Sequence, residues 1–523
     1  MMPNKVPLDE MLNLSNWLRY KEKRIILNLL IISLTFLVLW PLFGLIWEGV
    51  YGLKNGFISI GNDELKQIKG TIVLLIFTCL LGSTIGTLNG WLLSNCRFPG
   101  RKILRIFQLI PLATPAYLLA ATLIDLGSIN SIRIYGMTWG IVIMAFTTYP
   151  YVFLLSTESF LKGGKSQLEA CRSLGIGPWR SFFRIALPIA IPSIGAGTAL
   201  MGMEVVNELG AVQLLNIPSI SYGIYENWIE KDNPSGAIAL ALIALIIVIC
   251  FVAYERILRQ KNKRWSESLT GASSIAWNLK GSRAFFAQLV TILPPLFTLG
   301  VPITWAISNS DQLNKGIDSQ LLEITFRSLA FGLITAAITV SISLILSVSK
   351  RWELNKYFHG LTFLSGIGYA IPGSVLALAL LSFSNSPWNL NPLTLLIWGY
   401  SIRFLAIPKG GLDAAFERIS PNIDEAAKGL GSNWTSVLRK IHIPLLKGPL
   451  GVGALLVFVD TIKELPLTFI LRPFDSDTLS VRIFQYAGDE RMADSILPAL
   501  IILLLGLMAS FALIPSIENK QEK

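Results

Sequence analysis

The chain has 523 residues, of which 52% are hydrophobic and 15% are charged. Soluble proteins average about a quarter charged residues, so this composition excludes an ordinary soluble enzyme or binding domain and indicates a membrane protein. The net charge of +11 is distributed over short segments between apolar stretches, and no compact basic domain is present to bind a nucleic acid.

Apolar stretches long enough to cross a bilayer recur twelve times along the chain. About 20 residues of helix span the roughly 30 Å of hydrocarbon in a membrane. Long unbroken apolar runs are typical of helices, whereas the strands of a membrane barrel are short and alternate in polarity. The sequence therefore predicts an all-α polytopic membrane protein with spans near 25–48, 70–94, 104–126, 137–157, 188–208, 235–254, 284–307, 325–349, 360–382, 391–408, 447–471 and 495–516.

Clusters of basic residues lie on one side of the predicted spans. Short loops rich in Lys and Arg stay in the cytoplasm, so both chain termini are expected there. The segments predicted outside, such as 209–234 and 472–494, carry a larger share of Asp and Glu. The basic clusters precede the first span and follow the second, fourth, sixth and eighth: Arg19, Lys21, Lys23 and Arg24; Arg97, Arg101, Lys102 and Arg105; Lys162, Lys165, Arg172, Arg180 and Arg184; Arg256, Arg259, Lys261, Lys263 and Arg264; Lys350, Arg351 and Lys356.

The predicted spans fall into two groups of six. Residues 255–283 are polar, basic and rich in serine, and they are predicted to form a cytoplasmic linker between a first half, 1–254, and a second half, 284–523. Because six is an even number, both halves enter the membrane in the same direction and form a parallel repeat. Many ion-driven transporters use inverted repeats instead.

The two halves also match in sequence. The stretch 113–120 corresponds to 370–377 at an offset of 257 residues, and 204–210 corresponds to 460–466 at an offset of 256. Separated matches at nearly one offset indicate an internal duplication.

Two predicted cytoplasmic loops, 166–188 and 421–444, share one pattern. It reads Glu-Ala-Ala-x3-Gly-x9-Ile-x-Leu-Pro and recurs 256 residues apart, with Cys171 in place of one Ala and Ile443 in place of Leu. An acidic residue in the first turn of a helix is favoured by the helix dipole alone. That simpler explanation does not account for the glycine six residues later in both copies.

This pattern closely resembles the coupling motif of ABC importer permeases, the short helix-turn-helix that docks on the ATPase subunit. The resemblance implies the type I permease fold and docking of two copies of a cytoplasmic ABC ATPase. The glycines are expected to permit a sharp turn, and Pro188 and Pro444 to break the chain before the next span. The ATPase-coupling residues implied are Glu169, Ala170 and Gly175 in the first half and Glu425, Ala426, Ala427 and Gly431 in the second.

Acidic residues towards the ends of the fifth and eleventh spans are a second functional signal. A charge near the bilayer centre costs about 2.5–3.5 kcal/mol on insertion scales, so such residues usually face a cavity or one another. Glu204 and Glu208 are four residues apart, as are Asp460 and Glu464, and each pair is predicted to share one helix face. Either these acids line a translocation path near its outer gate, or they make interhelical contacts in which Lys463 pairs with an acid, or they lie just outside the hydrocarbon.

The chain further resembles the fused twelve-span ferric-iron permeases of bacterial ABC importers. The run Asp460-x2-Lys463-Glu464-Leu465-Pro466-x-Thr468 is similar to that family's signature. The resemblance implies Fe³⁺ as cargo, delivered by a periplasmic binding protein, and places Lys463 and the four acids in the translocation path. Carboxylates would suit a hard trivalent cation. Thiamine, an aminoalkylphosphonate, sulfate or molybdate remain alternative cargoes for the same mechanism.

The chain itself is expected to bind no cofactor and to catalyse no reaction. Its nearest approach to a phosphate-binding loop, at 159–166, has Ser159 where the first glycine belongs and follows a predicted span. ATP is therefore expected to be used by the partner ATPase. His359 and His442 are the only histidines, so we expect no resident metal site, with each histidine at a surface or an interface.

Two other classes of protein fit less well. An ion-coupled secondary transporter would need no ATPase, and it leaves the duplicated loop pattern unexplained. A membrane-embedded enzyme would need a His-rich metal motif or a nucleophile with its base.

Overall fold

The computed structural model describes residues 8–56, 60–162, 165–266, 277–315, 319–352, 356–384 and 390–512. Nearly all of these residues are helical, which confirms the all-α prediction. The predicted linker, 255–283, overlaps the end of a helix that continues to Ser266. Its residues 267–276 lie outside the described ranges.

The first half alternates long and short helices because prolines and glycines interrupt its apolar runs. Single turns of narrower 3₁₀ helix at Ile110–Ala113 and of wider π-helix at Phe182–Ala186 and Glu226–Glu230 join some of them. The regular elements are α1 (Leu8–Lys54), α2 (Asn62–Asn95), β1 (Cys96–Arg97), α3 (Arg101–Phe107), α4 (Ala116–Ile129), α5 (Met137–Thr148), α6 (Pro150–Lys162), α7 (Lys165–Ser173), α8 (Pro178–Ser181), α9 (Leu187–Asn207), α10 (Gly210–Leu214), α11 (Ile220–Tyr225) and α12 (Pro234–Ser266).

The second half has a similar succession of long and short helices. Its 3₁₀ turns are Ser310–Lys315, Ile367–Ala370 and Met492–Ser495, and its π turn is Leu438–His442. The regular elements are β2 (Trp277–Asn278), α13 (Ser282–Ser308), α14 (Ser319–Trp352), α15 (Lys356–Leu364), α16 (Gly373–Ser384), α17 (Pro392–Phe404), α18 (Ala406–Phe416), α19 (Pro421–Gly429), α20 (Trp434–Val437), α21 (Ile443–Lys463), α22 (Pro466–Leu471), α23 (Leu479–Gly488) and α24 (Ile496–Ala512). Strand β2 pairs in parallel with β1.

Eight helices in the described ranges are long and apolar enough to cross a membrane, and three bent helix pairs raise the number to eleven. The remaining predicted span, 391–408, coincides with α17 and α18. Three of the predicted spans, 104–126, 137–157 and 360–382, are these bent pairs rather than single straight helices, with bends of 89°, 44° and 106°.

Prolines explain the three bends. Pro115 immediately precedes α4, Pro150 begins α6, and Pro372 immediately precedes α16. Proline has no backbone N–H and its ring clashes with the helix before it, so a helix tends to stop at the preceding residue. The apolar runs alone gave no sign of these stops.

The first helix of each half packs on the other half. Helix α1 lies against α15 and α16, where the Thr35 hydroxyl donates to the Leu361 carbonyl at 3.3 Å. Helix α13 lies against α3, α4 and α5, where the Trp305 indole donates to Asp125 at 2.8 Å. Each half is therefore completed by a helix from the other.

Candidate functional site

A polar cavity of about 150 Å³ lies between the two halves. The cavity is lined by residues at the breaks of the bent helices and at the ends of α9 and α21. Polar backbone groups and polar side chains meet there. All five predicted path residues line it. The full lining is Pro111, Leu112, Thr114, Pro115, Ala116, Tyr117, Met144, Thr147, Thr148, Tyr151, Glu204, Asn207 and Glu208 from the first half, and Tyr369, Arg403, Phe404, Asp460, Lys463, Glu464, Leu465 and Pro466 from the second.

The prediction that each acid pair shares one helix face is wrong. Helix α9 ends at Asn207 and α21 ends at Lys463, so the next residue is already extended in both halves. Glu208 has φ −68° and ψ 125°, and Glu464 has φ −68° and ψ 128°. The spacing of four residues was read as a continuous helix, whereas the chain leaves the helix before the second acid.

Both of these glutamates instead cap the short helix that follows. Glu208 Oε1 accepts a hydrogen bond from the Ala211 N–H at 2.8 Å. Glu464 accepts from the Leu467 and Thr468 N–H groups, both at 2.9 Å, and from the Thr468 hydroxyl at 2.7 Å. A carboxylate at a helix N-terminus satisfies N–H groups that have no partner inside the helix. A local cap is therefore the main role of Glu464, and an interhelical contact is added to it.

Glu464 also lies near a buried arginine. Arg403 Nε is 3.9 Å from Glu464 Oε1, and both side chains are less than a tenth exposed. Arg403 additionally donates to the Ile371 carbonyl at 2.9 Å, next to the break before α16. These contacts tie α17, α21 and α16 together on the second-half side of the cavity.

Glu204 joins the two halves through tyrosine hydroxyls. Tyr369 of the second half donates to Glu204 Oε1 at 2.9 Å, and Tyr151 of the first half donates to the same oxygen at 3.2 Å. The two hydroxyl oxygens are 3.5 Å apart. One carboxylate oxygen is thus held at the junction of both halves.

The equivalent positions Asn207 and Lys463 each reach across to the other half. The Asn207 amide oxygen accepts from the Gly373 N–H at 2.6 Å, while Lys463 Nζ donates to the Leu112 carbonyl at 3.2 Å. Lys463 Nζ is also 2.7 Å from Asp460 Oδ1, so this lysine does pair with an acid, as one alternative expected.

The cavity carries four carboxylates and two basic side chains, together with tyrosine hydroxyls. Within the described residues, no three His, Cys, Asp or Glu side chains are placed to hold one metal ion. The arrangement can therefore offer oxygen contacts to a passing solute, but it is not a preformed cage of metal ligands.

The two loops with the shared pattern have the same backbone. The Glu-Ala-Ala sequences lie on α7 and α19, and Gly175 (φ 70°) and Gly431 (φ 75°) are both left-handed. The Ile176 N–H bonds the Cys171 carbonyl at 2.9 Å, and the Ser432 N–H bonds the Ala427 carbonyl at 3.0 Å. This is the glycine-terminated helix end that permits a sharp turn, as the sequence analysis expected.

One face of each loop is open to solvent. Glu169, Ala170, Glu425 and Ala426 are all exposed. Among the large apolar side chains whose exposure the structure describes in each loop, the leucine before the glycine is the most exposed: Leu174 is 77% exposed and Leu430 is 86% exposed. An apolar side chain displayed at equivalent points of both halves is typical of a contact surface. By contrast, Cys171 and Ala427 face inward.

Pro188 and Pro444 do not break the chain, contrary to the prediction. Helical structure continues from Pro178 to Asn207 and from Thr435 to Lys463. A π turn precedes each proline, at Phe182–Ala186 and at Leu438–His442. The wider turn changes the local hydrogen-bond pattern, so a residue without an N–H fits without interrupting the helix.

The two histidines differ. His359 is exposed, as expected. His442 is fully buried, so its prediction as a surface or interfacial residue is wrong. Its Nε2 atom lies 2.8 Å from Asp424 Oδ1, and the ring packs against Phe416 at 5.3 Å between centroids. The residues that contact it belong to other helices, Asp424 to α19 and Phe416 to α18.

Several cavity and loop residues were not predicted from the sequence. Arg403 lies inside an apolar stretch, and a basic residue there is a functional signal in its own right. Leu174 and Leu430 occupy the same position of the duplicated pattern, which could have marked them. Tyr151 and Tyr369 gave no signal, since only the fold brings them to Glu204.

Two like halves that enclose a polar cavity between broken membrane helices define a membrane permease. A family model described as "Binding-protein-dependent transport system inner membrane component" matches residues 80–264. The molybdenum transport system permease protein ModB of Escherichia coli (strain K12) is 32% identical over 217 residues, which cover 36% of this chain and 92% of that protein.

Two further relatives are transport permeases. The sulfate transport system permease protein CysT of Escherichia coli (strain K12) is 31% identical over 203 residues, covering 35% of this chain and 73% of that protein. The Fe(3+)-transport system permease protein FbpB 2 of Haemophilus influenzae is 26% identical over 477 residues, covering 88% of this chain and 92% of that protein. The chain belongs to the family of binding-protein-dependent transport system inner membrane components, and it is the permease of an ABC importer, a transport component and not an enzyme.

Proposed function

We propose that this permease translocates Fe³⁺ delivered by a periplasmic binding protein, driven by two copies of a cytoplasmic ABC ATPase. The observation that carries the proposal is the extent of the ferric relative: it aligns over 88% of this chain, including both halves. The sulfate and molybdenum relatives align over about a third of the chain.

The cavity chemistry supports a cationic cargo. Glu204, Glu208, Asp460 and Glu464 outnumber Arg403 and Lys463 in its lining. Carboxylate and hydroxyl oxygens are the ligands that hard cations prefer. Glu208 and Glu464 are held by backbone N–H groups, whereas Glu204 and Asp460 contact side chains, which a cargo can displace. Glu204 and Asp460 are therefore the carboxylates that we assign to contact with the cargo.

An oxyanion cargo is the second candidate. The sulfate and molybdenum permeases share 31% and 32% identity with this chain, and both Arg403 and Lys463 line the cavity. Arginine and lysine side chains bind oxyanions well. Glu464 and Asp460, which lie beside these two bases, would first have to be displaced or neutralised for an anion to bind there.

The coupling loops are the proposed docking sites for the two ATPase copies. Their exposed faces, built from Glu169, Ala170, Leu174 and Gly175 and from Glu425, Ala426, Leu430 and Gly431, have the same shape in both halves. Ala427 would support its loop from inside. This assignment requires the loops and both chain termini to be cytoplasmic, which agrees with the distribution of Lys and Arg.

Docking can be tested with Leu430→Asp, assayed by co-purification of the ATPase. Burying a new charge against the partner should weaken assembly about tenfold or more. Asn433→Asp is the matched control: it adds the same charge three residues away, at the start of α20, where aspartate is a favourable cap. Equal loss in both variants would argue against contact through Leu430.

Cargo can be tested by uptake into proteoliposomes that hold this chain, its ATPase and its binding protein. Radiolabelled ferric iron should accumulate with ATP and should not accumulate with a non-hydrolysable analogue. ATP hydrolysis stimulated only by binding protein loaded with sulfate or molybdate would keep the mechanism and replace the cargo.

A further inference from the structure

The coupling helix of the second half is attached to the membrane helices by a buried charge network. Asp424, on α19, accepts a hydrogen bond from Arg351 Nε at 2.7 Å, and its other oxygen lies 2.8 Å from His442 Nε2. The Asp424 and Arg351 side chains are about a tenth exposed, and His442 is fully buried.

Arg351 holds two further segments to the same point. It lies at the end of α14 and donates to the carbonyls of Phe416 and Ile419 at 2.9 and 3.0 Å, where α18 ends. His442 belongs to the π turn that leads into α21. Helices α14, α18, α19 and α21 therefore converge on Asp424.

The first half has no charge at these positions. In the loop, where the offset between halves is 256 residues, Leu168 is equivalent to Asp424 and Ala186 to His442. Between α2 and α14, where the offset is 257, Ser94 is equivalent to Arg351. Leu168 and Ala186 instead lie in an apolar cluster with Trp91. Trp91 is fully buried and packs against Phe160 and Phe182, at 5.6 and 5.3 Å between ring centroids.

We propose that Asp424, Arg351 and His442 are positioning residues that make the second coupling helix a rigid extension of α14 and α21, whereas apolar packing holds the first. The proposal rests on the proposed docking of an ATPase on α19. Breaking a buried ion pair leaves an uncompensated charge, and its hydrogen bonds are directional, so the pair fixes the position of α19 more closely than apolar contacts that can slide.

A single helix connects the network to the cavity. The helix is continuous from Thr435 to Lys463. His442 and Lys463 therefore lie about 30 Å apart along one continuous helix. A displacement of α19 that moves His442 would move Asp460 and Lys463 at the other end. A movement of the ATPase would thus displace the cavity residues of the second half by nearly the same distance as it displaces α19.

The test measures cargo transported per ATP hydrolysed in proteoliposomes with the ATPase and the loaded binding protein. Asp424→Asn and Arg351→Gln should each lower this ratio about fivefold or more while the ATPase still co-purifies. A quadruple variant, Val348→Trp, Arg351→Ser, Asp424→Leu and His442→Ala, introduces the first half's residues at all four positions. It should restore at least half of the lost ratio, because apolar packing again holds the helix.

Asp413→Asn is the matched control. Asp413 is paired with Lys350 and Lys409, each at 3.0 Å, so its ion pairs lie on α14 and α18. The control should leave transport per ATP unchanged. An equal fall in Asp413→Asn and Asp424→Asn, or an unchanged ratio in Asp424→Asn, would overturn the positioning role.

The two proposals fail in different ways. If the unaltered chain assembles with its ATPase and Leu430→Asp does not disturb that assembly, the docking site is wrong. If Leu430→Asp does disturb it but Asp424→Asn transports normally, docking stands and the positioning role is wrong.

Discussion

The ends of α9 and α21 have nearly the same backbone but different polar chemistry. Each helix stops one residue before a glutamate, with φ equal and ψ differing by 3° between Glu208 and Glu464. Yet Asn207 accepts a hydrogen bond from the opposite half, whereas its counterpart Lys463 donates one. Glu208 caps one N–H group, and Glu464 accepts from two N–H groups and a hydroxyl.

This comparison separates what duplication has retained from what has diverged. Helix stops, π turns and glycine turns recur in both halves, since they depend on backbone geometry. Side-chain networks at the cavity and at the coupling helices differ. Changes to the shared backbone should therefore affect both halves alike, and changes to side chains should affect them unequally.

The largest effect is expected from Gly175→Val and Gly431→Val. A left-handed backbone costs a non-glycine residue roughly 1–2 kcal/mol, so the turn after each coupling helix should shift and uptake should fall about tenfold in either variant. Gly429→Val is the control, since Gly429 is helical with open space around it. A fall in uptake in only one of the two variants would show that the two loops are not functionally equivalent.

Glu464→Gln should destabilise the protein more than Glu208→Gln does. Glu464 accepts three hydrogen bonds in a buried position, so its replacement by Gln should lower the free energy of unfolding by roughly 2–3 kcal/mol. The same change at Glu208 should lower it by about 1 kcal/mol. Thermal unfolding in lipid nanodiscs measures the difference. An equal loss of stability in the two variants would mean that the additional hydrogen bonds of Glu464 do not stabilise the protein.

Lys463→Met should lower uptake about fivefold, with a smaller effect on stability. The substitution leaves Asp460 without the cation 2.7 Å away, inside a cavity that already holds an excess of carboxylates. Lys463→Arg retains the charge and should keep most of the activity. If Lys463→Met transports normally, the divergence from Asn207 has no role in transport.

The smallest effect is expected from Tyr369→Phe. Removing a hydroxyl that donates to Glu204 should cost about 1 kcal/mol of stability or less. Tyr151→Phe removes the other donor, which belongs to the same half as Glu204, and serves for comparison. Tyr369→Phe removes the shorter hydrogen bond to Glu204, which joins the two halves, so it should lower uptake more than Tyr151→Phe does. A larger fall in uptake for Tyr151→Phe would mean that the Tyr369–Glu204 contact has no role in transport.

Periodic features of the sequence predicted the architecture well. The apolar runs gave the membrane helices, and the duplicated pattern gave two loops whose glycines, Gly175 and Gly431, have the expected turn. Both signals are local: each depends on hydrophobicity or on one backbone angle. The structure therefore matches them closely.

Features that depend on tertiary contacts were not predictable in this way. Four-residue spacing placed Glu208 and Glu464 on helices that in fact end just before them. His442 was expected at a surface because nothing near it in sequence shows that Asp424 and Phe416 enclose it. Tyr369 meets Glu204 from 165 residues away, a contact that only the folded pair of halves creates.

The exchange of first helices has a consequence for how the protein is made. Helix α1 leaves the ribosome before the others, but its packing partners α15 and α16 begin about 300 residues later. At about 5–20 residues per second, α1 waits on the order of 15–60 s in the bilayer with part of its surface covered only by lipid. Until synthesis reaches α16, the nascent first half is incomplete, because its first helix packs on a segment of the second half.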